Sequence, residues 1–340
     1  MRSAIEWIRR GGYRLLLGLA GATVVVVLGD SLGWHRIGER VREVGFGFAW
    51  VLAAYLLANL FFALPLGLVL PTRPSLRALV ASRLAAVSIN SATPFLGVGG
   101  EPVRLLWLPA CERRSGIAAL VIDRSAFLGA SALFLSTGAA VGAASPSLPP
   151  SLRIALPSLA GLALASVGGL YLCQRGGGVA GPMARMVGRF SSRFGSRLSD
   201  GAGQIDRGVR GLHEANPMRF PIAVAGHLAG RFAGAVEVAV IARLLGLSLG
   251  AGGTLLFATL PLAVDLVFSF VPSQIGIHEG SSALLASALG LDPAAGVAMA
   301  FVQRMRQIVF ITLGFLLLAA RRRAPDQAPS SGANSSPSAR

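Results

Sequence analysis

Hydrophobic positions in this chain come in long unbroken blocks rather than in alternation. Leu15–Leu28, Phe46–Leu70 and Phe310–Ala320 are the clearest. Blocks of this length predict membrane-crossing helices. The pattern predicts crossings over about Tyr13–Leu32, Phe46–Leu70, Gly116–Ala143, Ile154–Leu172, Phe220–Leu245 and Gly296–Ala320. Two further apolar stretches, Ala78–Ala110 and Thr254–Leu289, are too long for one helix and too short for two comfortable ones. Proline and glycine interrupt both, so each reads as a re-entrant hairpin or two short passes. Non-helical backbone at membrane depth is tolerated only where protein or a wet cavity satisfies it. The fold class is therefore an all-α polytopic membrane protein with about six crossing helices and two interrupted segments.

The two interruptions look like copies. Pro94-Phe-Leu-Gly-Val-Gly-Gly-Glu101 and Pro272-Ser-Gln-Ile-Gly-Ile-His-Glu279 each place a glutamate seven positions after a proline. Ser115–Arg124 aligns without gaps on Ala295–Arg304, with three identities in ten. The offsets are 178 and 180 residues. A duplication with an interrupted helix in each half is a transporter pattern. It divides a single membrane domain, 1–320, into repeat halves of about 46–173 and 219–320. A basic loop, 174–217, joins them, and a serine- and proline-rich tail, 321–340, reads as disordered.

Composition agrees: 53% of the 340 residues are hydrophobic and 14% charged. All 31 basic residues are arginine, and the formal net charge is +16. The arginines lie in short loops, where topogenic charge belongs, and do not read as a nucleic-acid surface. Arg2, Arg9, Arg10 and Arg14 put the N-terminus in the cytoplasm, and Arg321-Arg-Arg323 puts the C-terminus there, in a bacterial inner membrane. His35–Glu43 reads as an amphipathic interfacial stretch on the outside. Spaced arginines at 185, 189, 193 and 197 suggest a basic helix on the inner leaflet, by lipid attraction or as topogenic charge. These loop charges make the first interrupted segment open from the cytoplasm and the second from outside, which is an inverted repeat. Cys111 and Cys173 fall at cytoplasmic helix ends, where a disulfide is not expected.

Ionisable residues inside membrane segments cost about 2.5–3.5 kcal/mol on insertion scales and need a reason. They are Arg83, Glu101, Arg104, Asp123, Arg124, His227, Arg231, Glu237, Asp265, His278, Glu279, Arg304 and Arg306. Glu101 and Arg104 share a helical face and can pair. Asp123 and Arg124 are adjacent, so their side chains diverge. Glu101 can pair with Arg124 and Glu279 with Arg304, which neutralises buried charge. Equally, Arg124 and Arg304 can cradle an anionic head group. His227 and Arg231 share a face, and Glu237 lies on another. His227 reads first as a helix–helix hydrogen-bond partner. Asp265 is a candidate coupling-ion residue. No P-loop, nucleophile elbow or metal spacing occurs, so neither ATP hydrolysis nor a cofactor is expected.

At these motifs the chain resembles the flippase-like membrane proteins related to the transmembrane part of lysylphosphatidylglycerol synthase. The carrying residues are Asn90-Ser-Ala-Thr-Pro94, Gly99-Gly-Glu101 with Arg104, Asp123-Arg124, and Pro272, Gly276 and His278-Glu279-Gly280. Within that family it resembles most the branch associated with hopanoid biosynthesis. The resemblance covers about residues 10–320. It implies lipid translocation or trafficking, with Asn90, Pro94, Gly99, Gly100, Glu101, Arg104, Asp123, Arg124, Pro272, Gly276, His278, Glu279 and Arg304 lining the lipid route. The partner would be a phospholipid or isoprenoid-type lipid, with a homo-oligomer or a lipid-biosynthesis partner compatible. No aminoacyltransferase domain follows Ala320, so lipid aminoacylation is not carried over. Asp123-Arg124 lacks the further acidic residue expected after it, and Ile275 and His278 stand where other residues are common, which leaves head-group specificity open. Two other function classes remain: a lipid-modifying enzyme with Glu101 or Glu279 as general base, and a non-catalytic member of a lipid-synthesis complex.

Overall fold

A computed structural model describes residues 26, 30, 34–70, 74–92, 99–107, 113–176, 178, 192–268, 274 and 276–323. Every regular element among them is helical. In chain order they are α1 (Trp34–Val44), α2 (Phe48–Val69), α3 (Leu76–Ala92), α4 (Glu101–Arg104), α5 (Arg113–Ala144), α6 (Pro150–Gly176), α7 (Ser192–Ala215), α8 (Arg219–Leu244), α9 (Ala251–Phe268), α10 (Ile277–Ala288) and α11 (Pro293–Arg323). Single 3₁₀ turns, Gly45–Gly47 and Leu105–Trp107, join α1 to α2 and extend α4.

Five stretches among the described residues are long and apolar enough to cross a membrane: Ile37–Val69, which runs from α1 through α2, Gly116–Ala144, Pro150–Gly176, Arg219–Leu244 and Pro293–Arg321. They match five of the six expected crossings, and α6 extends several residues beyond both expected ends. The sixth, Tyr13–Leu32, lies outside the described residues except for Val26 and Asp30. The protein is thus an all-α, multi-pass membrane protein. Most side chains of α6 are exposed, as on a lipid-facing helix, while a stripe through Leu156, Ala160 and Ala163 packs against α5.

In the two interrupted segments, α3 is described as far as Ala92 and helix again from Glu101, after a turn at 99–100, and α9 as far as Phe268 and helix again from Ile277, after a turn at Gly276. Each segment packs against the long helix of the other half. The first, through α3, lies on α11; the second, through α9, lies on α5. α2 packs along α8, the most extensive contact in the fold. The polar helices follow the same rule, α1 lying on α11 and α7 on α5. Exchanging α1, α2, α3 and α5 for α7, α8, α9 and α11 therefore reproduces these pairings.

Small residues allow the close crossings, as is usual where lipid removes the hydrophobic drive between helices. At Gly314 a Cβ would meet the Leu84 carbonyl and Ser88 of α3. There Ser88 Oγ donates to the Ile311 carbonyl at 2.8 Å. Gly138 of α5 lies equally close to Thr259 of α9. The main apolar cluster joins α1, α2, α8, α9, α10 and α11 through residues such as Val51, Ile241, Phe257, Leu285 and Met299.

The basic loop yields α7, whose backbone includes Arg193 and Arg197, while Arg185 and Arg189 lie outside the described residues. α7 docks by its C-terminal end. His213 is buried against Tyr171 of α6 and Phe220 of α8, with ring centroids 5.8 and 5.7 Å away. Burial, and then the positive charge of Arg175, pushes its imidazole below the ordinary histidine range. The unfolded or undocked state therefore binds protons first as pH falls, and docking weakens below about pH 6.5. Amide protection factors over 201–215, corrected for the intrinsic exchange rate, are expected to fall between pH 7.5 and 5.5, and His213→Phe to abolish that fall. Protection factors independent of pH in the native protein would contradict the account.

Candidate functional site

Asn90, in the last turn of α3, accepts a hydrogen bond from the Gly100 amide at 2.6 Å. Gly100 in turn lies on the α3 backbone, where a Cβ would collide with Ala86. Only glycine permits this approach. It sets Glu101 at the start of α4 with its carboxylate buried. One turn later Arg104 is 1% exposed. Its Nη1 donates to Glu101 Oε2 at 3.2 Å and to Asp123 Oδ2 at 2.6 Å.

Asp123 and Arg124 diverge as their adjacency on α5 demands. Asp123 turns inward, and its second oxygen lies 3.1 Å from Nε2 of His227 on α8. Arg124 turns toward Glu101, with Nη1 3.8 Å from Oε1, and its guanidinium lies 4.9 Å from the centre of the Phe127 ring. The expected Glu101–Arg104 and Glu101–Arg124 pairings are both present. They share Glu101, and Asp123 carries the chain on to His227, giving Arg124–Glu101–Arg104–Asp123–His227 across α4, α5 and α8, buried from Glu101 inward.

The second interruption reaches a related end by a shorter route. Gln274 and Gly276 have φ of +47° and +83°, a region where glycine is at ease and glutamine is not. Glu279 is 2% exposed. Its Oε2 accepts the Gly276 amide at 2.8 Å, the reach-back half of a capping box. Its Oε1 takes Arg304 Nη2 at 2.8 Å and Nε at 3.3 Å. His278 Nε2 lies 2.6 Å from Gln274 Oε1, so it faces the turn rather than the carboxylate. Glu101 with Arg124 and Glu279 with Arg304 are thus the same pairing at equivalent positions. The halves differ beyond it. Under the repeat, Arg104 corresponds to Ser282 and Asp123 to Gln303, so the second half lacks the inner pair.

The expected site residues therefore gather into two groups: Asn90, Gly99, Gly100, Glu101, Arg104, Asp123 and Arg124 in the first, and Gly276, His278, Glu279 and Arg304 in the second. Pro94, Pro272 and the side chain of Asp265 lie outside the described residues.

Around the first group the structure adds residues that the expected site left out. Phe62 of α2 and Phe127 of α5 meet edge to face at 5.6 Å. The Arg83 guanidinium lies 5.2 and 5.5 Å from those ring centres, and that of Arg231 lies 5.4 and 4.5 Å away. His227 meets the Phe127 ring at 5.4 Å. The face shared by His227 and Arg231 is thus the aromatic one. The spacing of Phe127 three positions after Arg124 signals a common face, but nothing local signals Phe62. Glu237 on its separate face pairs with Arg306 of α11 at 3.0 Å, and Arg306 also stacks 3.8 Å over Tyr55.

Removing one partner of a buried ion pair costs about 3–5 kcal/mol, because the other charge is stranded. Asp123→Ala is therefore expected to lower unfolding stability in micelles by about that amount, with Arg104 losing the shorter of its two carboxylate contacts and His227 losing its acceptor. The double variant Asp123→Asn with Arg104→Gln is expected to recover part of it. A loss below about 1 kcal/mol in the single variant, the scale of an exposed pair, would contradict this geometry.

Among known proteins, a family model described as the lysylphosphatidylglycerol synthase TM region matches residues 15–314. No curated protein and no solved structure matches the chain. The match takes in both glutamate–arginine pairs, four of the spans described above and the last as far as residue 314, and the chain belongs to the lysylphosphatidylglycerol synthase transmembrane-region family, whose members are membrane proteins related to lipid handling.

Proposed function

We propose that the protein is a lipid translocase of the bacterial inner membrane, moving a polar or anionic lipid between leaflets without ATP. The observation that carries this reading is the repeated pairing. A buried glutamate follows each helix interruption, and an arginine from a long helix holds each one, Glu101 with Arg124 and Glu279 with Arg304. Each long helix also supports the interrupted segment of the other half. An inverted repeat with an interrupted helix per half is how many secondary transporters build a substrate site near the midplane. In this reading the first interruption opens from the cytoplasm, where both termini lie, and the second from outside.

A groove of about 690 Å³ between α2, α3 and α11 supports a lipid substrate. Leu56, Leu60, Val80, Leu84, Leu313 and Leu317 line it, and Arg77 is the charged residue on its wall. Such a groove suits an acyl or isoprenoid chain while the head group follows the polar residues. Transport is favoured over chemistry because both glutamates are engaged by arginine.

Each pair must open to admit a head group and close again without one. Removing the arginine from either half leaves the route incomplete. Arg124→Ala and Arg304→Ala are each expected to cut transbilayer movement of a fluorescent phospholipid in proteoliposomes at least tenfold, while both variants still insert and purify as folded protein. Movement at the native rate in both would overturn the proposal.

A further inference from the structure

We infer that Arg83 heads a phosphate-binding site, in which a phosphate-bearing lipid head group lies between Arg83, Arg104 and Arg124 beside the Phe62–Phe127 pair. This rests on the translocase reading for its use in the cell, but the site itself stands on separate observations.

The first observation is a shortage of acceptors. Arg83 Nε is buried with no hydrogen-bond partner, and so are Arg104 Nε and Nη2 and His227 Nδ1. Arg104 spends its one remaining terminal nitrogen on both carboxylates of the cluster. Buried polar groups in folded proteins find a partner in the large majority of cases. Several guanidinium donors gathered without one therefore call for an oxygen-rich species.

The second observation is charge. Among the described residues no carboxylate lies within ion-pair distance of Arg83. Glu101, its nearest acidic influence, is already shared by Arg104 and Arg124. Arg83 instead rests on two phenyl faces, at 5.2 and 5.5 Å. Cation–π contact holds a guanidinium in place while leaving its N–H edge available.

The third observation is access. Arg104 is closed off at 1% side-chain exposure, whereas Arg124 is 22% exposed and Arg83 is half-buried. A ligand reaching the two outer arginines would find the unmet nitrogens of the inner one behind them. Phosphate carries several acceptor oxygens and at least one negative charge, and guanidinium forks match it in two-point contacts. A neutral hydroxylated head group supplies acceptors but leaves the cation uncompensated.

The test uses the full-length protein in micelles, with phosphatidic acid, phosphatidylglycerol, diacylglycerol and inorganic phosphate as probes, read by native mass spectrometry and thermal shift. The two phosphate lipids are expected to bind and stabilise, and diacylglycerol to do neither. Arg83→Gln is expected to weaken both phosphate lipids at least tenfold, and Arg83→Lys to restore part of the binding. Equal binding of diacylglycerol, or native affinity in Arg83→Gln, would overturn the inference. Inorganic phosphate binding as tightly as phosphatidic acid would overturn its assignment to a lipid. If Arg83→Gln does not fold, head-group photocrosslinking of the native protein decides. Crosslinks on 82–86 and Phe127 support the site, and crosslinks confined elsewhere overturn it. Phosphate-lipid binding without transbilayer movement would sink the translocase reading and leave this one standing; movement indifferent to the phosphate would do the reverse.

Discussion

A charge buried in an apolar interior is stable only beside its opposite, and the helix arrangement here follows from that requirement. Glu101 and Glu279 both emerge where helix resumes after an interruption, and neither can remain ionised alone at that burial. Each draws an arginine from the long helix that follows it, α5 or α11. That contact fixes where the short helix can lie. In the first half the requirement propagates further, because Arg104 needs Asp123 and Asp123 takes His227, which ties α8 into the same unit. Glycine makes the geometry possible by letting Gly100 settle on the α3 backbone and Gly276 adopt a positive φ. Close crossings at Gly138 and Gly314 then bring the halves together.

The two halves share an outer pair and differ in what lies behind it. The first backs Glu101 with arginine, aspartate and histidine; at the equivalent positions the second has Ser282 and Gln303. In the proposed repeat, each half holds one glutamate–arginine pair, and Arg83 and Arg104 add further positive charge to the first. In the proposed translocase, that asymmetry suits a substrate whose charged end is held by the first half.

Much of this was legible in the residues themselves. Length and hydropathy placed the spans, because a crossing helix needs an apolar run of nearly fixed length. The repeated Pro-to-Glu spacing and the Arg124–Arg304 correspondence named both latches, and the adjacency of Asp123 and Arg124 required them to diverge. What escaped was lateral. Arg83 is a buried-segment charge that needs a reason, yet its neighbours Phe62 and Phe127 lie on α2 and α5, and no periodicity along one helix says which helix faces it. The partnership of Glu237 with Arg306 was hidden likewise, since it depends on how α8 crosses α11. Arg104 looked like a simple partner for Glu101 one turn away. Its shorter contact, to Asp123, spans nineteen residues and could be seen only once α5 was in place.

The central claim is that the two interruptions are halves of one lipid route approached from opposite faces of the membrane. Sidedness tests it most directly. In a background with Cys111→Ser and Cys173→Ser, single cysteines at Gly99 and Gln274 can be probed in intact cells with a membrane-impermeant maleimide. The account predicts labelling at 274 from outside, and at 99 only after the cytoplasmic face is exposed. Labelling of both positions from the same face would contradict it.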